Sequence, residues 1–483
     1  MQYIQNIVFV ILLIVGAGYF AFNIRKLIRN INLGIDIDRN DQKPLRFKNM
    51  AKIALGQYKM VRRPVSGILH VVVYVGFLII NIELLEIVID GVFGTHRIFS
   101  PLGEVYNVLI ATFEVFAFLV LVGVIIFWIR RNVIKIKRFL SAEMKGWPKS
   151  DGNIILYFEV ILMLLFLTMN ASDHQLQILG ADHYAKAGGI AGAFPISSWL
   201  ILPLIENMTQ ASLIVLERTT WWMHIIGILC FLNYLYFSKH LHILLAFPNT
   251  YFAKLTPNGQ LTNTEAVTKE VMLMMDPNVD PFAAPAEGAD TEEVAKFGAS
   301  DVTDLNWVQL MNSYSCTECG RCTSECPANQ TGKKLSPRKI MMDTRDRLEE
   351  VGKNIDKNGS FVPDGKQLLN DYISKEELWA CTTCNACVYE CPVTIEHVDS
   401  IIDMRRNLVL MESQFPPELN SVFKNLETNG TPWAFSSQDR ANWAEGLDVK
   451  TMAEDPECEY LFWVGCAGSF DARYQKTTQA IAK

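Results

Sequence analysis

The apolar positions of this chain fall into two regimes. Up to about residue 249 they run in long blocks: 3–23, 66–89, 106–129, 154–171 and 219–245 are each apolar enough, and long enough or nearly so, to cross a bilayer as a helix. Beyond residue 250 the blocks give way to helical spacings of ordinary length broken by Pro and Gly. The first block has no basic segment before it and no small-x-small cleavage site. Its charges, Arg25, Lys26 and Arg29, follow it, so it reads as an anchor and not as a removable signal. The 24–63 connection carries eleven Lys and Arg and the 130–152 connection seven, against Arg97 alone in 90–105 and Lys186 and Arg218 in 172–218. That asymmetry puts the N-terminus outside and everything after about residue 246 in the cytoplasm. The 172–218 stretch, with Trp199 and the neighbouring Trp221 and Trp222 at interfacial depth, is expected along the outer interface or as a re-entrant or partial sixth span, and the charge count favours five spans.

Charge separates the same two regimes. Residues 1–249 hold 22 Lys and Arg against 15 Asp and Glu, a balance of +7, and residues 250–483 hold 22 against 36, a balance of −14. No basic domain stands apart from the hydrophobic blocks, so nothing points to nucleic acid as a partner; the membrane bilayer itself is the expected one. The expected organisation is a membrane domain over 1–249, an acidic linker with one helix (T-E-A-V-T-K-E-V-M-L-M-M, its Met272, Met274 and Met275 read as packing residues) over 250–304, a cysteine-rich domain over 305–412, and a connector over 413–483.

Eight of the eleven cysteines sit in two copies of one pattern, C-T-E-C-G-R-C-T-S-E-C-P from Cys316 and C-T-T-C-N-A-C-V-Y-E-C-P from Cys381. This is C-x2-C-x2-C-x3-C-P, the spacing of bacterial ferredoxins that hold [4Fe–4S] clusters, in which the fourth ligand comes from the other motif. The assignment is Cys316, Cys319, Cys322 and Cys391 for one cluster, and Cys381, Cys384, Cys387 and Cys326 for the other. Pro327 and Pro392 turn the chain away after each fourth ligand. Structural zinc uses pairs of cysteines, not triplets with a fourth Cys-Pro, and disulfides need an oxidising compartment that this topology does not give. Cys230 and Cys458 are read as structural. The 54 residues between Cys326 and Cys381 are too many for a compact ferredoxin hairpin. They predict a helix over S-P-R-K-I-M-M-D-T-R-D-R-L-E-E and a loop with Asn358, Gly359, Pro363 and Gly365, and a further helix is predicted over V-D-S-I-I-D-M-R-R-N-L-V-L-M.

Histidines and carboxylates inside apolar blocks are costly and therefore functional candidates. His70 lies within two turns of the cytoplasmic end of the second block; His224 lies near the outer end of the fifth and His240 and His242 near its inner end. On a continuous helix eighteen residues make five turns, so His224 and His242 would share a face about 27 Å apart, with His240 turned roughly 160° away as an ordinary bundle residue. His70 and His242, at matching depth, can face each other as the two axial ligands of a b-type haem. Glu83, Glu86, Glu114 and Glu159 have two readings: helix-end caps and ion-pair partners, or proton exits for quinone chemistry.

Five spans with F-S-K-H-L-H at the inner end of the fifth resemble the cytochrome b subunit of respiratory nitrate reductases and the membrane subunits of heterodisulfide-reductase-like complexes. That resemblance covers His70, His224 and His242 and departs at Ile80, where the family carries a second histidine on the second span. A second haem on His224 would therefore need another partner, His174 or His183. The cluster domain resembles the helical ferredoxins of succinate dehydrogenases and heterodisulfide reductases. Y-L-F-W-V-G-C-A-G looks like a strand leading to the first cysteine, Cys466, of a cysteine-rich CCG domain; the C-C-G and C-x-x-C expected next are not in this chain, so either the sequence is truncated or a separate CCG-domain subunit supplies them. The resemblance implies an all-α membrane bundle of five transmembrane helices, a mainly α-helical dicluster ferredoxin domain and the beginning of an α/β CCG domain, in a bacterial inner (cytoplasmic) membrane. It also implies an oxidoreductase passing electrons between electron transfer flavoprotein and quinone or menaquinone through two [4Fe–4S] clusters and haem b. The alternatives are a quinol-dependent heterodisulfide-type reductase and a non-catalytic electron conduit.

Overall fold

In hydrocarbon a backbone can satisfy its own polar groups as a helix, and the computed structural model, which describes residues 2–185, 189–277 and 296–483, builds each apolar block as one. The helices long and apolar enough to span are Tyr3–Ile31, Pro64–Phe93, Glu104–Asn132, Trp147–Ile178 and Gln210–Phe237, termed spans 1 to 5. Residues 186–188, Lys186 among them, and 278–295, inside the expected acidic linker, lie outside the described residues. The linker helix forms over Glu265–Met275. Its Met272, Met274 and Met275 are 64%, 71% and 74% exposed, so the packing role expected for them is corrected: no described surface covers this helix face.

Spans 2 to 5 share one apolar core, with Ile87, Ile110, Phe113, Ala117, Val120, Phe166, Leu167, Trp221 and Ile225 among its buried residues, while Phe9 inserts from span 1. Lipid tails are as apolar as these side chains, so close backbone approach and interlocking side chains hold such helices together. Gly76 shows the approach directly: a Cβ there would stand 2.5 Å from Val120 Cγ2 of span 3. Among its described residues the 172–218 stretch contributes no sixth span. It folds back as the short helices Pro195–Leu200 and Leu202–Ile205. Ile196 and Ser197 donate backbone N–H groups to the buried Glu114 of span 3 at 2.9 and 3.1 Å. Glu114 lies ten residues, about 15 Å, into its helix, so the segment is re-entrant.

The fifth block breaks where the sequence reads as one helix. Span 5 gives way to a 3-10 turn at Leu235–Phe237, Ser238 is extended (φ −119°, ψ 148°), and a new helix runs over His242–Tyr251. Local polar chemistry stabilises the break. Ser238 Oγ accepts from the His240 N–H at 3.1 Å, and Asp151 accepts from the Tyr234 hydroxyl at 2.6 Å and the Lys239 N–H at 3.1 Å. The expectation of a continuous helix with His224 and His242 on one face is corrected by this break.

The cysteine-rich part packs against the end of the bundle that carries the basic connections, and residues Met1–Asn407 form one compact unit. Span 1 continues past its apolar stretch, and Lys26 and Arg29 pair with Asp356. Arg63 reaches Glu325 and Glu390, Arg39 reaches Glu396, and Arg338 reaches Glu143 at 2.7 Å. The predicted helix after the first motif spans Pro337–Asn358, with Ser336 capping its start and Gly359 its end. That after the second begins at His397.

Leu408–Lys483 form a second unit, with helices at Leu419–Asn429, Cys466–Phe470 and Ala472–Ala482. Residues 460–465 pair with no other segment as a strand, and Tyr460 and Trp463 are both exposed.

Candidate functional site

The two cysteine motifs adopt the same backbone. Two and four residues after its first cysteine, each enters the left-handed region: Glu318 (φ 52°) and Gly320 (φ 71°) in the first, Thr383 (φ 55°) and Asn385 (φ 59°) in the second. Such turns curl the chain around a centre and aim N–H groups inward. The Thr383 N–H points at Cys381 Sγ at 3.4 Å, and Glu318 N–H does the same for Cys316. Cys316, Cys319, Cys322 and Cys391 line one small cavity with Gly320, Val393 and Ile395. Cys381, Cys387, Cys384 and Cys326 are each other's neighbours in a second group. Burial pushes the Cys316 thiol up to about 12 and Cys391 to about 11. Four thiols so placed favour the deprotonated form only with cationic iron among them, which is the fit a thiolate-held cluster requires. Among the described residues no three His, Cys, Asp or Glu side chains converge on a single ion; in a cubane each thiolate binds its own iron.

Beside the first group lies a cavity of about 380 Å³, lined by His70, Tyr74, Phe77, Glu159, His240 and His242 from the bundle and by Thr317, Glu318 and Cys319 from the first motif. The rings of His70 and His242 face across it with centroids 6.4 Å apart. An iron bonded to two imidazole nitrogens at roughly 2 Å each, with about 1.1 Å more to each ring centre, calls for about 6.2 Å. His242 Nδ1 lies 3.0 Å from the Lys239 carbonyl, which fixes the proton on Nδ1 and leaves Nε2 as the bare nitrogen. Among the described residues His70 Nδ1 is buried without a hydrogen-bond partner. These observations fit a bis-histidine haem. His240 is corrected: it was expected to face elsewhere, and the break at Ser238 turns it into the same cavity, its ring 5.4 Å from that of His242.

The far end of the bundle is polar. A cavity of about 100 Å³ there is lined by Glu83, Glu86, His96, Arg97, Asp173 and Trp222, among others. Glu86 accepts from the Tyr106 hydroxyl and the Phe99 N–H, both at 2.8 Å. Arg97, which the sequence marked only as a loop charge, donates to Asp173 and Asn170 of span 4. Glu86 and Glu114 thus cap and pair; Glu83 Oε2 is buried without a partner among the described residues, and Glu159 faces the His70–His242 cavity. His224 is buried against Phe166. The structure brings neither expected partner to it: His174 bonds Ser198 Oγ at 3.0 Å and stacks on Phe194, and the ring of His183 stands 5.4 Å from that of His96. A second haem on His224 therefore finds no histidine partner among the described residues. Cys230, on span 5, and Cys458 are both exposed and belong to neither cysteine group. Cys466 starts a short helix, with Arg440 Nη1 at 3.6 Å from its sulfur.

Residues 315–395 match the family of 4Fe-4S dicluster domains. Over 98% of its length the chain is 30% identical to the probable iron-sulfur-binding oxidoreductase FadF of Bacillus subtilis, of which it covers 67%. The chain belongs to this family of iron–sulfur-binding oxidoreductases. It is a membrane member, by its five spans. It is also 28% identical, over 93% of its length and 61% of the relative's, to EtfAB:quinone oxidoreductase of Syntrophomonas wolfei. Over 39% of its length it is 38% identical to a probable membrane-anchored ferredoxin of Chromohalobacter salexigens, covering 30% of that protein. The chain spans about two thirds of the length of the first two relatives. No solved structure matches it.

Proposed function

We propose that this iron–sulfur oxidoreductase links a cytoplasmic donor, electron transfer flavoprotein, to the quinone pool. The observation that carries the reading is the shared cavity: Cys319 of the first cysteine group and the facing His70 and His242 line the same space. In this reading Cys381, Cys384, Cys387 and Cys326 hold one [4Fe–4S] cluster, Cys316, Cys319, Cys322 and Cys391 hold the other, and His70 and His242 hold haem b. Bound there, these groups carry single electrons. The N-terminus faces outward, because the basic connections and the cysteine groups share one end of the bundle. The exposed Phe77 and Leu78 at the cavity rim face the bilayer and give a lipid-soluble quinone its approach. Glu159 is a protonatable side chain on the bundle wall of that cavity, positioned to hand protons to a quinone that takes up two electrons and two protons.

Anaerobic spectra of the detergent-purified protein test the reading. Reduced electron transfer flavoprotein should reduce a b-type haem, and a menaquinone analogue should reoxidise it; His70→Ala and His242→Ala should each abolish the haem bands while the iron–sulfur absorbance persists. Haem that ignores the flavoprotein and is reduced by quinol would reverse the direction, towards the heterodisulfide-type reading. Absence of b-type absorbance in the unaltered protein would remove the haem.

A further inference from the structure

The walls of the His70–His242 cavity are cationic as well as apolar. Arg130, Arg131, Arg138 and Arg321 all line it. Elsewhere in this unit buried arginines are matched to carboxylates: Arg338 to Glu143, Arg345 to Glu318, Arg347 to Asp301 and Asp364. Among the described residues none of the four cavity arginines has such a partner. Asp151 and Glu318, the carboxylates whose charge acts on Arg131 through space, are already engaged by Lys239. Around Arg138 the charged neighbours are Arg63, Arg321 and Arg130, with the Cys319 sulfur.

Arg131 and Arg138 stand out within this group. Each has a buried Nε with no hydrogen-bond partner. Arg131 spends Nη2 on the carbonyls of Pro148 and Lys149 at 3.0 and 3.3 Å, and its guanidinium packs over Gly152 so closely that a Cβ there would meet Cζ at 2.7 Å. Arg138 lies against the Phe139 ring at 5.2 Å. A guanidinium held by packing on the wall of a cavity, with an unsatisfied donor and no anion opposite, is costly unless an anion arrives with whatever fills the space. A b-type haem brings two: its propionate carboxylates, which match the guanidinium fork in geometry and charge.

We propose that Arg131 and Arg138 are the propionate anchors of the group held by His70 and His242, an assignment that rests on the haem reading above. These side chains set the orientation of the macrocycle about the His70–His242 axis and hold its carboxylates at the basic end of the bundle, on the side of Cys319. They are positioning residues, because the iron is held by the histidines.

The test is a redox titration with haem quantification on the full-length protein in detergent. Arg131→Gln and Arg138→Gln should each lower the haem-to-protein ratio severalfold, or leave haem with a midpoint potential below that of the unaltered protein, because a cation that stabilises the added electron is gone. Arg131→Lys and Arg138→Lys should restore the potential more fully than the haem content, since lysine keeps the charge without the fork. The iron–sulfur spectra should not move, and they report that the variants fold. Unchanged haem content and potential in both glutamine variants would overturn the assignment, as would a shift confined to the cluster nearest Cys319, which would make these arginines counter-charges to the thiolates. No haem in the unaltered protein would remove the haem reading itself, a result distinct from either.

Discussion

The Nδ1 of His242 lies 3.0 Å from the carbonyl oxygen of Lys239. The same Lys239 sends its ammonium to Glu318, two residues past Cys316. One residue thus orients the imidazole that faces His70 and ties the first cysteine motif to the bundle. Both residues lie just past the backbone break at Ser238, and a helical side chain leans back towards the carbonyl three residues before it.

Breaking the Lys239–Glu318 pair should therefore loosen both sites together. Both side chains are buried, at 9% and 3% exposure, and Arg345 also holds Glu318, at 2.9 Å. Removing one partner of a buried pair costs about 3–5 kcal/mol, because the other charge is left without its match. Lys239→Met should lower the thermal transition and broaden the haem spectrum, and Lys239→Met with Glu318→Gln should recover part of the stability. A single variant as stable as the unaltered protein would show that Arg345 alone carries Glu318.

The same pair fixes a pH dependence. Burial by itself would raise the Glu318 carboxyl, but Lys239 and Arg345 outweigh it and hold the group below its ordinary value of 4.5. A carboxyl depressed in the folded state contributes stability that is complete above the unfolded value and is lost as pH falls through the lower folded one. Thermal stability recorded from about pH 6 to 3 should therefore fall on acidification, and Glu318→Gln should flatten that fall. An identical slope in the variant would assign the acid transition to other carboxylates.

The crossed cysteine sets make opposite predictions for two equivalent positions. Cys391→Ser should remove the cluster held by Cys316, Cys319 and Cys322, and Cys326→Ser the one held by Cys381, Cys384 and Cys387, each leaving a single reducible cluster by electron paramagnetic resonance. In Cys391→Ser the remaining cluster should be the one more remote from the haem, so any magnetic broadening between cluster and haem should vanish. In Cys326→Ser it should stay. The reverse pattern would mean that each motif supplies its own fourth ligand.

Much of this was legible in the sequence because it rests on short-range constraints. Cysteine spacing, the length of apolar blocks and Lys/Arg asymmetry are local quantities, and the spans and the dicluster domain follow from them. His70 and His242 were legible as a pair from depth alone. The break at Ser238 was not: it depends on Asp151, more than eighty residues away, accepting from Tyr234 and Lys239, and without it His240 reads as facing elsewhere. Glu114 kept two readings, cap or proton exit, until the re-entrant Ile196 and Ser197 supplied its donors. Arg131 and Arg138 counted only towards topology, since nothing along the chain distinguishes an arginine facing headgroups from one facing a cavity.

The left-handed turns predict a difference between the two cluster sites. Gly320 and Asn385 occupy equivalent positions, but only Gly320 is crowded: a Cβ there would stand 2.5 Å from Arg338 Nη1. Arg338 is fully buried and paired with Glu143 of the bundle, so it has little room to yield. Gly320→Ala carries the left-handed penalty of roughly 1–2 kcal/mol, with the cost of displacing Arg338 added to it. Asn385→Gly relieves strain at a site with no such crowding. Gly320→Ala should speed loss of the first cluster to an iron chelator while the second decays at its ordinary rate, and Asn385→Gly should leave both rates within about twofold, the effect of a few tenths of a kcal/mol. Equal acceleration of both clusters in Gly320→Ala would mean that the two sites open together, and that the tie between motif and bundle, not the turn, limits release.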